Sequence, residues 1–298
     1  MFKFGKKQET YDIAGVRIGG QPGEVRTVLS GAIFYKNHSI VTDENKGLFN
    51  KSLAEELIVK QEELSDKTGN QHFVQIFALT SEAMTNYMDF VAGITDAPFL
   101  IDSIDSDVRL AGAAHACEAG LSKRAIYNSI NVGTEKKEID KIRELKIDSA
   151  IILAFSPKGF DVKGRIYILD NGDGILDKGL IEIARECGIT KPLIDIAVTL
   201  LGQGAGAAVR ASYVAKAKWG YPVGGAIYNA AASWEKLRDH EKEYREFCGV
   251  GANVIERMAG GDFILYGPIE KAPKVFPLIA FADDIIAEAV KDIIVEPR

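Results

Sequence analysis

The feature of the sequence that most constrains its fold is a regular alternation of apolar and amphipathic segments. The apolar segments are short and rich in β-branched residues, which is typical of strands buried on both faces of a parallel sheet. They cover residues 27–34, 73–78, 98–102, 124–128, 149–155, 193–198, 223–228 and 263–266. Between them, hydrophobic residues recur with a helical period over 53–66, 81–94, 107–119, 136–145, 179–187, 205–219, 234–258 and 276–293.

Eight strands that are each followed by a helix predict an α/β fold of the (β/α)8 TIM barrel type, and 298 residues is an ordinary length for it. A doubly wound sheet is the competing architecture. That fold usually carries a glycine-rich nucleotide fingerprint after its first strand, whereas segment 27–34 is followed by YKNHS. No linker rich in proline, glycine or serine divides the chain, so we predict a single barrel domain over residues 1–298.

A shorter pattern precedes the first barrel strand. Residues 9–21 alternate in polarity on either side of a glycine, which predicts a β-hairpin. We expect this hairpin, within an N-terminal extension of residues 1–25, to close the bottom of the barrel, where the strands begin.

Composition excludes several classes of protein. Hydrophobic residues make up 47% of the chain, and 36 Lys and Arg stand against 42 Asp and Glu, for a net charge of −6. This balance provides no basic patch, so nucleic acid is not an expected partner. The apolar runs are too short to span a bilayer, and the N-terminus lacks the apolar core of a signal peptide. Three cysteines outside any CxxC pair indicate a reducing compartment, so we predict a cytoplasmic protein without membrane insertion.

Polar residues interrupt the apolar segments near their carboxyl ends, where TIM barrels carry catalytic groups. The third segment ends at Asp102, the fourth ends at Asn128, the sixth contains Asp195, and Asn229 follows the seventh. Any one of these is as often a helix cap or turn residue as a ligand. Together they indicate a site of two carboxylates and two or three carboxamides, since Asn131 is close to Asn128.

The residue types missing from this set exclude other chemistries. The set contains no lysine, which Schiff-base aldolases need on a strand. It also contains no histidine, and metal-dependent barrel hydrolases need clustered histidines, so we predict no bound metal. The segments after the seventh and eighth strands are poor in the glycine-rich turns of a phosphate site. A carboxylate that accepts two N–H groups, beside carboxamides that donate and accept, suits an aminopyrimidinone such as the pterin of a folate.

Two glycine-containing stretches resemble known ligand-binding motifs but do not match them fully. Residues 202–206 (GQGAG) match a dinucleotide loop only in part, and we expect a tight turn whose backbone approaches a ligand or a docking protein. Residues 170–174 (DNGDG) have glycine where a calcium loop needs side-chain oxygens. We interpret residues 156–177 as a long loop after the fifth strand, on the catalytic face.

Four segments together are similar to one family. They are GGQPGE at 19–24, IDS at 101–103, IYNSIN at 126–131 and IYN at 227–229. Over essentially its whole length, the chain resembles the catalytic H subunit of tetrahydromethanopterin S-methyltransferase. It resembles equally the bacterial relatives that methylate tetrahydrofolate from a methyl-corrinoid protein, as in glycine betaine degradation. Each segment alone is short, and their combination is specific.

The resemblance implies roles for the strand-end residues. In the wider group of pterin-binding barrels, an Asp after strand three, an Asn after strand four, an Asp on strand six and an Asn after strand seven hold the pterin. The matching positions are Asp102, Asn128, Asp195 and Asn229, with Asn131 as an alternative to Asn128. Asn229 and Asp102 are the expected catalytic residues, Asn229 at the pterin N5 and Asp102 as a proton relay.

The resemblance also implies the reaction, a methyl transfer between a corrinoid and N5 of a reduced pterin. The chain has no cobalamin signature of the DxHxxG kind, so we expect the corrinoid on a partner protein or as free methylcobalamin. We favour tetrahydrofolate as the pterin that is methylated. The alternatives are a tetrahydromethanopterin-specific subunit of a larger complex, a dihydropteroate-synthase-like enzyme, and a pterin-binding subunit without activity of its own.

The last expectations concern assembly. The apolar faces predicted on helices 234–258 and 276–293 exceed what packing on one barrel requires, so we predict a homodimer through those helices. The barrel mouth then stays free for the corrinoid protein. We expect that protein to dock on the two longest loops of the catalytic face, 35–50 and 156–178.

Overall fold

The computed structural model describes residues 2–291, and its central feature is a closed barrel of eight parallel strands. Helical segments follow the barrel strands, so the predicted TIM barrel is confirmed. The strands are β1 (Thr10–Ile13), β2 (Val16–Gly19), β3 (Val28–Ile33), β4 (Val41–Asp43), β5 (Leu48–Phe49), β6 (His72–Phe77), β7 (Phe99–Asp102), β8 (Ala125–Ile130), β9 (Ser149–Leu153), β10 (Lys191–Asp195), β11 (Val223–Gly225) and β12 (Phe263–Pro268). The barrel contains β3 and β6 to β12, while β1 with β2 and β4 with β5 form separate two-stranded sheets.

Local sequence signals set where the helices begin and end. Asn50, for example, accepts a hydrogen bond from the backbone N–H of Leu53 at 3.2 Å, and Gly69 ends the same helix at a positive φ of 75°. The helices are α1 (Lys51–Thr68), α2 (Ser81–Ile94), α3 (Ser106–Glu118), α4 (Lys136–Leu145), α5 (Val162–Asp170), α6 (Leu180–Glu186), α7 (Ala205–Trp219), α8 (Tyr228–Ala232), α9 (Lys242–Met258) and α10 (Ala272–Ala289). Among residues 2–291, no helix is both long and apolar enough to cross a bilayer.

Two helical predictions need correction. Residues 234–258 do not form one helix, because a short 3-10 turn at Glu235–Leu237 precedes α9 and the exposed residues 238–241 separate the two. Residues 156–177 are not a simple loop, since they contain α5. That helix begins where Asp161 accepts a hydrogen bond from the backbone N–H of Gly164 at 2.7 Å, and its apolar face is buried.

Some predictions extend beyond the described part of the chain. The helix predicted over 276–293 begins earlier, at Ala272, and its last predicted residue, Ile293, lies outside the described residues. The single-domain prediction over 1–298 includes Met1 and residues 292–298, which also lie outside them. It stays a prediction.

The N-terminal hairpin is present where the sequence predicts it, and it packs against the bottom of the barrel. Ile13, Val16 and Ile18 share one buried cluster with the first inward-facing residues of the barrel strands, which are Val28, Phe73, Leu100, Ile126, Ile151, Leu193 and Phe263. Complete burial of each such side chain contributes about 1.5–3 kcal/mol. With this end filled, a ligand approaches the barrel from the carboxyl ends of the strands.

Two buried ion pairs lie at the bottom of the barrel, one between α7 and the residue before β12 and one between α9 and α10. Lys216 on α7 donates to both carboxylate oxygens of Asp262, at 2.6 and 2.7 Å, and Asp262 also accepts the backbone N–H of Val223 where β11 begins. Arg257 on α9 donates through Nε to Asp283 on α10 at 2.5 Å. Removing one partner of such a pair costs about 3–5 kcal/mol because it leaves a buried charge without compensation. These charged residues are therefore structural.

Candidate active site

The alternation of side chains along the strands directs a set of polar groups into the barrel mouth. Successive residues of a strand point to opposite faces, so a residue two positions after an inward-facing one also points inward. On β6, β7, β8 and β10, an interior apolar residue is followed in this way by a polar one: Phe73 by Gln75, Leu100 by Asp102, Ile126 by Asn128, and Leu193 by Asp195. The structure therefore brings Asp102, Asn128 and Asp195 to one inner layer, and it adds Gln75, which the sequence analysis missed.

Asp102 lies at the end of β7, beside Asn128 in the ladder with β8. Its Oδ2 accepts a hydrogen bond from Nε2 of Gln75 at 2.7 Å. Desolvation raises the pKa of the Asp102 carboxyl to about 6, while the Gln75 hydrogen bond and the charge of Arg109 oppose this rise. A carboxyl group with a pKa in that range can accept and release a proton near neutral pH.

Asp195 ends β10 and is the more deeply buried carboxylate, with 7% of the residue exposed. Its Oδ1 accepts the backbone N–H of Ala197 at 2.8 Å. Burial raises the pKa of Asp195 to about 6, and the negative charge of Asp102 adds to the rise, which indicates that the two carboxylates lie near each other. Neither forms a salt bridge with any of residues 2–291, which leaves both available to a ligand with N–H donors.

Asn128, inside β8, and Asn131, directly after it, differ in their hydrogen-bond partners. The side chain of Asn131 is used within its own turn, because Oδ1 accepts the N–H of Gly133 at 2.9 Å and Nδ2 donates to the carbonyl of Ser129 at 3.3 Å. The side chain of Asn128 has no hydrogen-bond partner in the described part of the chain. Asn128 is therefore the better candidate for a ligand contact.

Asn229 does not lie at a strand end, which corrects the prediction. β11 stops at Gly225, and Asn229 lies in the first turn of α8. The cause is a turn that begins directly after the strand, where the backbone N–H of Asn229 donates to the carbonyl of Ala226 at 3.0 Å. The residue is partly exposed, and its amide has no protein partner within residues 2–291. It remains a candidate contact at the rim of the mouth.

Tyr228, immediately before it, is a further group at the site that the sequence analysis did not assign. Burial and then the charges of Asp102 and Asp195 raise the pKa of its phenol, so the hydroxyl stays protonated as a donor. The sequence IYN occurs at 126–128 as well as at 227–229, but the two tyrosines lie in different surroundings. Tyr127 instead belongs to the buried layer outside the barrel, since it precedes an inward-facing residue.

A buried arginine supports the loop that follows Asp102. Arg109 donates through Nη1 to the carbonyls of Ser103 at 2.8 Å and Ile104 at 3.2 Å. Its Nη2 donates to Glu138 at 2.8 Å, and Glu138 also accepts the hydroxyl of Tyr127 at 2.5 Å. Because each of these polar groups has a partner, the network holds this loop in one arrangement.

A second buried arginine supports the loop that follows Asp195 in the same manner. Arg165, on α5, donates through Nε to the carbonyl of Ile196 at 2.8 Å and through Nη2 to that of Ala197 at 3.0 Å. Its charge also lowers the pKa of Asp195, against the larger effect of burial. The sequence contained no signal for this role, because Arg165 is 31 residues distant from Ile196 in the loop it supports.

We expect the Arg165→Met variant to lose affinity for a ligand held by ionised Asp195, most strongly at acid pH. Asp195 is ionised above its pKa of about 6, so binding strengthens as pH rises through that value. Without the arginine the pKa rises further, which moves the acid limb to higher pH and lowers affinity several-fold at pH 6. Ligand titration from pH 5 to 8 measures the shift. Arg165→Lys, which keeps the charge, should retain the acid limb of the parent protein.

The glycine-rich turn at 202–206 approaches a segment of its own chain. Gly204 has a φ of 103°, and a Cβ there would be 2.4 Å from the carbonyl oxygen of Phe160. The turn is tight, as predicted. Its close approach, however, is to the segment before α5, which explains the need for glycine without a ligand.

The polar groups at the mouth are carboxylates, carboxamides and a phenol. Within the described residues, no three His, Cys, Asp or Glu side chains are grouped closely enough to hold a metal ion. The carboxylates accept N–H groups, and the amides of Asn128 and Asn229 both donate and accept. These groups match the edge of a pterin, which presents N–H donors beside a carbonyl and ring nitrogens.

Comparison with known proteins gives one family for the whole chain. The model of the family described as tetrahydromethanopterin S-methyltransferase MtrH subunit matches residues 6–298. The H subunit of tetrahydromethanopterin S-methyltransferase from Methanothermobacter thermautotrophicus is 54% identical over 300 residues, covering 100% of this chain and 97% of its own. The H subunit from Methanocaldococcus jannaschii is 50% identical over 309 residues, with coverage of 100% and 97%.

Solved structures with a similar fold include dihydropteroate synthases. The enzyme from Thermus thermophilus superposes with a TM-score of 0.64 at 11% identity, covering 93% of this chain and 100% of its own. That from Xanthomonas albilineans gives a TM-score of 0.61 at 13% identity, with coverage of 96% and 99%. At these identities the similarity concerns the barrel fold.

Proposed function

The chain belongs to the tetrahydromethanopterin S-methyltransferase MtrH family and is a methyltransferase, and we propose that it moves a methyl group between a corrinoid and N5 of a tetrahydropterin bound at the barrel mouth. The observation that carries this proposal is the inner layer of Asp102, Asn128 and Asp195. These side chains follow inward-facing residues of their strands, and they have hydrogen-bonding capacity that residues 2–291 do not use.

The pterin ring would be held through its pyrimidinone edge. Asp195 would accept the N3–H and 2-amino groups together, since one carboxylate can take two parallel N–H donors. Asn128 would serve the ring carbonyl, and Gln75 would keep Asp102 oriented toward the mouth. Burying a carboxylate without an ion pair is unfavourable in free energy. A ligand that supplies two N–H donors offsets part of this unfavourable free energy.

The relatives change the expected identity of the pterin. The tetrahydrofolate preference of the sequence analysis has less support than its alternative, because both relatives reported above are archaeal and are named for tetrahydromethanopterin. We therefore favour tetrahydromethanopterin, with this chain as one subunit of a larger methyltransferase. A bacterial enzyme of the glycine betaine type, acting on tetrahydrofolate, is the competing hypothesis.

The protein contributes to this methyl transfer mainly by positioning the two reactants. In the direction of pterin methylation, the N5 lone pair forms the new bond to the methyl carbon, the cobalt–carbon bond breaks with its electron pair on cobalt, and the N5 proton leaves. Correct alignment of two reactants can contribute about 7–11 kcal/mol to such a displacement. Asn229 would hydrogen-bond N5, and Asp102, with a pKa of about 6, would take the proton through a water molecule.

The corrinoid partner and the assembly also stay proposals. We expect a corrinoid protein to dock over segments 35–50 and 156–178 at the mouth.

We expect a homodimer through α9 and α10, where Phe247 is 68% exposed and Phe281 65% exposed. Light scattering at micromolar concentration should give twice the monomer mass. A cytoplasmic location likewise remains a prediction.

One experiment tests the function directly. The purified chain is titrated with tetrahydrofolate and tetrahydromethanopterin by calorimetry and then assayed for methyl transfer with methylcobalamin. Methylation of one pterin supports the proposal and identifies the pterin. Binding without transfer would point to a subunit that is active only within an assembly. Absence of binding to both would reject the pterin site. In a parallel assay with a pterin diphosphate and 4-aminobenzoate, condensation of the two would indicate the dihydropteroate-synthase-like alternative.

A further inference from the structure

A lysine at the rim of the barrel mouth is separated from the proposed pterin site by the ring of one tyrosine. Lys271 ends the 3-10 turn Ile269–Lys271 that follows β12, at the same end of the barrel as the site carboxylates. Its Nζ lies 5.2 Å from the ring centroid of Tyr228, a cation–π arrangement. The other surroundings of that ring include Gly267, where an added Cβ would be 3.0 Å from it.

The carboxylates near Lys271 are engaged elsewhere. Glu270 accepts hydrogen bonds from the hydroxyl of Tyr35 and from Nε2 of His38, both at 2.9 Å, and Glu246 forms an ion pair with Lys274 at 2.7 Å. Within residues 2–291, no carboxylate oxygen lies within 4.0 Å of the Lys271 ammonium, and no hydrogen bond to it is formed. The residue is half-buried, and this desolvation lowers its pKa. A partly desolvated cation without an anionic partner favours an anion from a ligand.

The covalent structure of a pterin indicates which part of the ligand reaches this lysine. The 2-amino group and N3–H lie at one end of the bicyclic ring, whereas N5 and C6 are adjacent at the other. With the first end on Asp195 and N5 at Asn229, the C6 substituent leaves the ring beside α8 and β12. Tyr228 and Lys271 occupy that side of the mouth.

We propose that Lys271 binds an anionic group on the C6 tail of the tetrahydropterin, with Tyr228 holding the lysine stem in place. The proposal rests on the pterin site argued above and adds the substrate feature that it selects. The anion would be a glutamate carboxylate in tetrahydrofolate, or the phosphate or a carboxylate in tetrahydromethanopterin. An ammonium serves either as a point charge.

The test compares tailed and tail-less ligands. The probes are tetrahydrofolate, tetrahydromethanopterin and 6-methyltetrahydropterin, which has the ring without the anionic tail. In Lys271→Met, we expect the Kd of a tailed pterin to rise about tenfold and to lose most of its salt dependence, with the Kd of 6-methyltetrahydropterin unchanged. Lys67→Met removes the same charge from an exposed position on α1 and should alter none of the three.

Each other outcome has a defined meaning. An equal loss for tailed and tail-less pterins would mean that Lys271 contacts the ring, which overturns the tail assignment. Unchanged pterin affinities with a raised KM for methyl-corrinoid would assign the lysine to the corrinoid partner instead. Failure of the parent protein to bind any of the three probes would reject the pterin site itself. A larger effect with only one tailed pterin would identify which anion is used.

Discussion

Replacing Asp195 with alanine is expected to raise the Kd for the tetrahydropterin at least about 100-fold. The side chain is buried and accepts one hydrogen bond from the residues that the structure describes, so its remaining acceptor capacity is available to a ligand in the mouth. Each hydrogen bond to a charged group contributes roughly 1.5–3 kcal/mol, and the carboxylate can make two with the ring. Calorimetric titration of the parent and variant proteins at pH 7.5, where Asp195 is ionised in the parent, measures the loss.

A matched variant separates this effect from a loss of negative charge. Asp96 is fully exposed beside Arg124, and Asp96→Ala should leave the Kd within about twofold of the parent value. Thermal unfolding of both variants checks that the barrel is intact. If Asp195→Ala bound pterin with the parent affinity and heat, Asp195 would not be the ring anchor.

The second large effect is expected in turnover. Asn229→Ala should lower kcat by roughly 100-fold while changing the pterin Kd by much less. The reason is that charge changes at N5 during the transfer, so a hydrogen bond there strengthens in the transition state. Steady-state kinetics with methylcobalamin and the pterin, together with direct titration, separate kcat from affinity.

Asn128→Ala provides the contrast for this experiment. Asn128 lies beside Asp102 and is proposed to serve the ring carbonyl, whose charge changes little during the transfer, so its loss should raise KM and lower kcat much less than Asn229→Ala does. If Asn229→Ala instead raised KM with kcat intact, Asn229 would belong to the binding layer and another group would have to serve N5.

The catalytic end of the barrel illustrates how far local sequence information reaches. The position of Asp102 at the end of β7 could be predicted because strand and helix periods differ and a barrel presents its strand ends on one face. Asn128 lies near the end of β8 as expected, but the strand continues for two residues beyond the predicted end, to Ile130. The strand predicted over 223–228 is too long, because the apolar residues after Gly225 suit a strand or a buried helix equally. The backbone hydrogen bonds from Asn229 N–H to Ala226 and from Ala230 N–H to Ile227 decide for the helix.

The sequence by itself determined the alternation, the N-terminal hairpin, the barrel and three of the polar residues in its mouth, since each follows from periodicity within a segment or from the order of segments along the chain. The tertiary structure decided what depends on contacts between segments distant in the chain. It gave Gln75 as the partner of Asp102, Arg165 as the support of the Asp195 loop, and Lys271 as a cation beside Tyr228. Hydrogen-bond partners and desolvation arise only when the barrel closes, because closure sets which distant side chains share the same space.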